Sequence, residues 1–187
     1  MIINLEGYHG TSLESAQSIQ SSKYDLSTGD EEWLGDGVYF FIKGISSKLE
    51  DLAVKWAISR AWDNKFKRNK YRNYCVLLSH IEVHDDNFLD LTTEDGLDVF
   101  DYIIDRYIKK MGSIRKTVKY QDGQFLNFAR RENIVDIEVA KGNFYIKFTK
   151  EKIKGLNLRT NNCTICTVFD PAKNIKSTKI ITNGSVI

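Results

Sequence analysis

The sequence predicts an α+β domain built on an antiparallel or mixed sheet, and three observations carry that expectation. The chain has 187 residues, of which 42% are hydrophobic and 12% aromatic, enough for one sizeable core and too little for two ordinary domains. Residues 1–187 are therefore read as a single domain. Helical periodicity is concentrated in the first part of the chain and strand-like runs in the last part, the segregated order of an α+β fold rather than a doubly wound one. No period of 20–50 residues recurs, which excludes solenoids and propellers.

Residues 2–8 read as a short strand ending in Tyr8-His9-Gly10, and Ser12, with Glu14 and Ser15 behind it, starts a helix to about Ser22. Gly35 to Phe41 is a turn feeding a strand. From Ser46 or Ser47, Leu49, Leu52, Ala53, Trp56 and Ala57 recur at helical spacing and predict an amphipathic helix to about Trp62. Residues 65–72, KFKRNKYR, form a basic connector, and Tyr74 to His84 is dense in β-formers and predicts a largely buried strand. A second amphipathic helix spans Thr93 to Met111 and stops at Gly112. A shorter helix around Phe125 to Arg131 precedes strands at Ile134 to Ala140 and Phe144 to Phe148, joined by a Lys141-Gly142-Asn143 turn. Cys163 to Phe169 is the last clear strand, with Ser177 to Ile181 adding an edge.

Composition excludes several classes. One proline, twelve glycines and no Gly/Ser-rich or Pro-rich linker argue against disorder and tethered modules. No apolar run approaches the roughly 18 residues needed to cross a bilayer, and MIINLEGYHG lacks the basic and apolar regions of a signal peptide. The expected location is the cytoplasm, with no membrane partner. Three cysteines, Cys75, Cys163 and Cys166, are an odd number and argue against a disulfide framework. Cys163 and Cys166 have CxxC spacing without a second pair, and on a strand an offset of three turns them to opposite faces. His80 and His84 lack the HExxH order, so no metal site is expected; a phosphate-binding loop and a GxSxG elbow are also missing.

Charge is uneven although the net is only +2. Residues 1–50 carry 3 basic and 8 acidic side chains, residues 51–105 carry 7 and 11, and residues 106–187 carry 17 and 6, a net of +11. Such a basic region attracts phosphate backbones, unless it merely solubilises the surface.

The chemistry-bearing residues lie in the N-terminal quarter. His9-Gly10-Thr11 follows a strand and precedes a helix, and the Gly-rich turn at Gly35 and Gly37 leads to Tyr39. A glycine lets backbone groups approach a planar carboxamide, a histidine adds a ring donor and acceptor, and a tyrosine adds a stacking face. Taken singly, His9 also reads as a turn residue and Tyr39 as a core aromatic.

Together, Tyr8-His9-Gly10-Thr11, a helix containing Ile19, the run Trp33 to Phe41 (WLGDGVYFF), and a helix containing Ala53-Val54-Lys55-Trp56-Ala57 resemble the NAD⁺-binding core of ADP-ribosyltransferases of the PARP and diphtheria-toxin-like branch, in their bacterial toxin form. Thr164 to Ile175 is similar to that family's third strand and the segment leaving it, while roughly 65–155 matches nothing of the family. The resemblance implies a split, twisted, mixed or antiparallel sheet with flanking helices, and NAD⁺ as co-substrate. It implies that His9 bonds the adenosine-side ribose, that the Gly10 backbone binds the nicotinamide carboxamide, that Tyr39 stacks on the nicotinamide, and that Trp56 is the opposing wall. Thr11 and Gly37 complete the implied cofactor-binding set. Where many members carry a third glutamate this chain has Ile165, which implies mono-transfer rather than polymer formation. The acid or base must then come from elsewhere, with Asp36, Glu132, Glu138, Thr164, Thr167 and Asp170 as candidates.

Transfer to an acceptor is thus the expected activity. The basic connector, with Lys65, Lys67, Arg68, Lys70 and Arg72 beside Tyr71 and Tyr74, favours a nucleic-acid acceptor, RNA before DNA. A protein acceptor, an RNA 2′-phosphotransferase-like activity and an inactive NAD- or ADP-ribose-binding module stay open. A toxin of this kind implies an antitoxin partner protein.

Overall fold

A computed structural model describes residues 1–112, 122–148 and 160–186. Its backbone is strand β1 (Ile2–Ser12), which runs antiparallel to β5 (Asn73–His84) over its whole length, from Ile2 opposite His84 to Ser12 opposite Tyr74. On its other side β1 meets β2 (Val38–Ile42) at a single register pair, Tyr8 opposite Phe41. The remaining strands of the main sheet are β6 (Phe88–Asp90), β7 (Val139–Phe144), β8 (Cys163–Val168) and β9 (Ile175–Ser185), giving the order β6-β7-β8-β2-β1-β5-β9. Among the described strands only β6 and β7 run parallel; the sheet is mixed, with helices packed on it, as an α+β reading expects.

Helix α1 (Leu13–Ser21) starts where Ser12 Oγ accepts from Ser15 N at 3.1 Å, the cap that the sequence signalled. Helix α2 (Leu49–Ala61) lays Leu52, Ala53 and Ala57 against the sheet. Helix α3 (Glu94–Met111) is capped by Thr93 and closed by Gly112 at φ 76°, a left-handed conformation that favours glycine. Helix α4 (Asp122–Arg131) packs on it through Phe125 and Phe128, both edge-on to Tyr107. A one-turn α5 (Pro171–Asn174) precedes β9.

Strand β8 is buried at every position because the sheet is covered on both faces there. Cys163 and Ile165 join one apolar cluster and Cys166 and Val168 another, so the two thiols face opposite sides. Each fully buried side chain of Leu, Ile or Phe size, such as Phe40 or Leu77, contributes about 1.5–3 kcal/mol through lost water contact.

Several local expectations fail. Lys141-Gly142-Asn143 is not a hairpin turn: it lies inside β7, where Gly142 pairs with Ile165. Pairing along both edges of β7, to β6 and to β8, outweighs the local turn preference of Lys-Gly-Asn. The expected strands on either side shrink to Val139–Phe144, and Ile146 instead exchanges two hydrogen bonds with the Asn162 side chain, at 2.9 and 2.8 Å. The connector 65–72 is also more ordered than expected. It turns a hairpin of β3 (Trp62–Asp63) and β4 (Arg68–Asn69), with Asp63 Oδ1 accepting from the amides of Lys65 and Phe66. Strand β1 runs on through Thr11 to Ser12, past the expected end at Tyr8.

Candidate active site

The sheet splits beyond Tyr8. Strand β1 keeps its β5 partner to Ser12, but its β2-facing edge from His9 onward has no strand partner among the described residues. A cleft of about 320 Å³ opens there. Tyr8, His9 and Gly10 line it from β1, Val38 to Phe41 from β2, Ile165 from β8, and Trp56 and Arg60 from α2. Consecutive residues of β1 and β2 point to opposite faces, so the cleft runs through the split rather than along one face.

His9 bridges the gap: its Nδ1 lies 2.9 Å from the carbonyl oxygen of Tyr39. A carbonyl only accepts, so Nδ1 carries the proton and Nε2 keeps its lone pair in the neutral ring. Burial pushes the His9 pKa below its ordinary 6.5, which keeps the ring neutral at physiological pH. Tyr24 and Phe40 hold the imidazole, with ring centroids 5.5 and 5.7 Å away.

The Tyr39 hydroxyl donates to Gly35 O at 2.7 Å and accepts from Leu34 N at 2.9 Å, folding the Gly-rich loop back on its own tyrosine. Gly35 takes φ 83° in that loop. Burial, with the nearby Glu32 carboxylate adding to it, raises the Tyr39 phenol well above its usual range, so it stays protonated. The hydroxyl is engaged in the loop, and the ring lies among the residues lining the cleft. Gly37 exchanges two backbone hydrogen bonds with Ser27, and a Cβ on it would stand 2.4 Å from Thr167 Oγ1.

Of the residues expected at the site, His9, Gly10, Gly37, Tyr39, Trp56 and Ile165 all line this cleft. Thr11 does not: it pairs with Cys75 one residue beyond the lining. Gly10 is required for a reason that the sequence does not state. A Cβ there would lie 1.9 Å from the Ala53 carbonyl oxygen, so α2 rests directly on the β1 backbone. Trp56 belongs to an aromatic group with Trp33 and Phe41, at 6.3 and 6.4 Å, and the Arg60 guanidinium lies 5.0 Å above its ring.

None of the six acid or base candidates lines the cleft. Glu132 pairs with Lys110, Glu138 with Lys173 and Asn174, and Asp170 caps α5. Asp36 accepts from Gly29 N, Thr164 Oγ1 accepts from Ile45 N, and Thr167 is buried behind Gly37. Among the described residues, the carboxylates that do line it are Asp25, Glu31 and Glu32, from the segment between α1 and β2. Glu32 is anchored by Ser27 Oγ, which donates to its Oε1 at 2.6 Å. Sequence reasoning passes over these acids and Arg60, although Glu32 directly precedes the Trp33 motif and so carried a positional signal.

Away from the cleft, His84 sits with Asp85 and Asp86 on exposed chain, at 3.0 and 3.1 Å, and the Met1 ammonium pairs with Asp85. Seven of the seventeen cations of residues 106–187, among them Arg115, Lys119, Lys152 and Arg159, lie outside the described residues. No helix among the described residues is long and apolar enough to cross a membrane.

No family model matches the chain. It is similar to the uncharacterized protein MJ0359 of Methanocaldococcus jannaschii, with 34% identity over 96 residues. The similar stretch covers 50% of this chain and 40% of that protein, so the chain spans less than half the length of its relative.

Proposed function

We propose that the split-sheet cleft binds NAD⁺ and that the protein is an NAD-dependent mono-ADP-ribosyltransferase acting on nucleic acid, RNA before DNA. The observation that supports this most is the meeting of His9, Tyr39 and Ile165, from three strands far apart in the chain, around one cleft. The residues present fit the co-substrate. The Tyr39 ring offers a stacking face, the His9 Nε2 lone pair accepts from a ribose hydroxyl, and the unpaired β1 edge at Gly10 offers amide groups to a carboxamide.

In this reading, the Tyr39 ring would hold nicotinamide, with Glu32 lining the same cleft. Bound there, NAD⁺ would supply an ADP-ribosyl group by release of nicotinamide, whose nitrogen would take the electron pair of the C1′–N1 bond and leave positive charge developing on the ribose. A nearby carboxylate favours that charge. The acceptor nucleophile would bond to C1′ in place of nicotinamide and give its proton to solvent. Glu32 would supply negative charge that Ile165 cannot, and mono-transfer rather than chain extension is what the resemblance implies for a chain with Ile165 in place of the third glutamate. A toxin role, with an antitoxin that covers the cleft, follows from the same resemblance.

Incubation with labelled NAD⁺ and total RNA, single-stranded DNA or lysate tests the reading, with mass spectrometry of the product. One ADP-ribose unit per site on RNA, with nicotinamide released, is expected. Phosphate release would indicate the phosphotransferase relation, label confined to protein would replace the acceptor, and NAD⁺ that neither binds nor turns over would overturn the reading.

A further inference from the structure

The cleft is not isolated. Trp33, Trp56, Arg60 and Ile146 are shared with a neighbouring hollow of about 540 Å³, which adds Trp62, Lys65, Tyr145 and Lys147. That hollow in turn shares Asp63 and Lys70 with a third, of about 910 Å³, which adds Phe66, Arg68 and Arg72. Among the described residues, the two outer hollows carry six cations, Arg60, Lys65, Arg68, Lys70, Arg72 and Lys147, against one acid, Asp63. The Asp63 carboxylate is already engaged by the Lys65 and Phe66 amides of its own loop.

Three large aromatics stand in the open along this path: Trp62 is 43% exposed, Phe66 61% and Tyr145 47%. Lys65 and Arg68 lie 5.3 and 5.7 Å from the Phe66 ring. Together these rings and cations set flat apolar faces beside positive charge along one path. Alternating rings and cations match a chain of unstacked bases joined by phosphates, since each base has a π-face and each linkage a negative charge. A duplex hides its base faces and gains nothing from the rings. An acidic peptide would use the cations alone.

We propose that the β3–β4 hairpin and the adjoining Tyr145–Lys147 segment form a binding track for single-stranded RNA that leads into the cleft, with Trp62 and Phe66 as base-stacking platforms. The inference rests on the transferase reading for its purpose, but its test does not need NAD⁺. Lys67, at the tip of the hairpin with φ 53°, lies outside the lining of either hollow and has no place in the track.

The test is fluorescence anisotropy of a labelled single-stranded oligouridylate, a duplex RNA and polyglutamate against the full chain at several salt concentrations. The single strand should bind tightest, and Trp62→Ala with Phe66→Ala should weaken it about tenfold or more while leaving duplex binding nearly unchanged. Arg68→Gln with Arg72→Gln should flatten the slope of log K against log salt by about 1.4, whereas Lys67→Gln should leave it unaltered. Trp62→Tyr, which keeps a ring, should retain most of the affinity and guards against a folding artefact. Duplex bound as tightly as single strand, polyglutamate bound equally well, or an unchanged Trp62→Ala/Phe66→Ala variant would overturn the track. NAD⁺ calorimetry on the same proteins separates the two ideas. Lost RNA binding with intact NAD⁺ binding in the ring variants supports the track, and RNA binding by a parent that ignores NAD⁺ removes the transferase reading and leaves the track standing.

Discussion

The two edges of β1 are treated in opposite ways. Along β5 the strand is paired at all eleven residues, and along β2 at Tyr8 alone. The paired edge is continuous sheet, with Cys75 and Leu77 wholly buried behind it. The open edge is crossed by the His9 side chain, which spans to the Tyr39 carbonyl where a backbone ladder would otherwise run. Unsatisfied strand edges are costly unless something occupies them. A strand that is anchored so fully on one side can leave the other side open, and the pairing asymmetry is what makes room for the cleft in an otherwise close-packed sheet.

The sharpest way to break this arrangement is Gly10→Ala. The new methyl would collide with the Ala53 backbone at 1.9 Å, and neither β5 pairing nor α2 can yield easily. A loss of about 3 kcal/mol is expected, read as a lower urea midpoint. An unshifted midpoint would mean that α2 does not rest on β1. Next comes His9→Ala, which removes the bridge across the open edge. Transfer should fall at least about a hundredfold, roughly 2.7 kcal/mol in the barrier, with far-UV dichroism retained. Unchanged turnover would detach the bridge from function.

Tyr39→Ala should weaken NAD⁺ binding by about 1–3 kcal/mol in calorimetry. Tyr39→Phe sharpens the comparison, because it keeps the ring and removes the hydroxyl bonds to Leu34 and Gly35. Near-parental affinity together with lower stability is expected, and equal loss in both variants would shift the role from the ring to the loop.

The smallest effect is a pH dependence. His9 is held below its ordinary pKa of 6.5 by burial, so as pH falls through 6.5 the unfolded chain takes up a proton that the folded chain refuses. Stability from this group is fully present above that value and declines below it, until the folded-state pKa is reached. His9→Gln should flatten the stability profile just under pH 6.5, above the range in which Asp90 and Glu138, whose pKa values are lowered by their hydrogen bonds and lysine partners despite partial burial, lose their contributions. An identical slope in parent and variant would show that His9 is solvated.

Much was legible from local patterns. The Ser12 cap, the Gly112 stop and the apolar stripe of α3 each depend on neighbours within a few residues, and the expected and observed elements agree there. The alternation of β8 likewise sends Cys163 and Cys166 to different clusters without help from distant chain. Lys141-Gly142-Asn143 shows the limit: its turn chemistry is local, but two partner strands held it extended.

The sequence by itself therefore determined the α+β class, most of the helices and which residue types stand at the motif positions, because period, caps and glycine stops act over one or two turns of chain. Only the tertiary structure decided that β1 would part from β2 just after Tyr8, that Gly10 would serve α2, and that Glu32 rather than Asp36 or Asp170 would face the cleft. It also decided that Arg60 and Trp62 would join the cleft to the basic hairpin. Those outcomes depend on which surfaces exclude water together, a property of segments distant in sequence that no local spacing encodes.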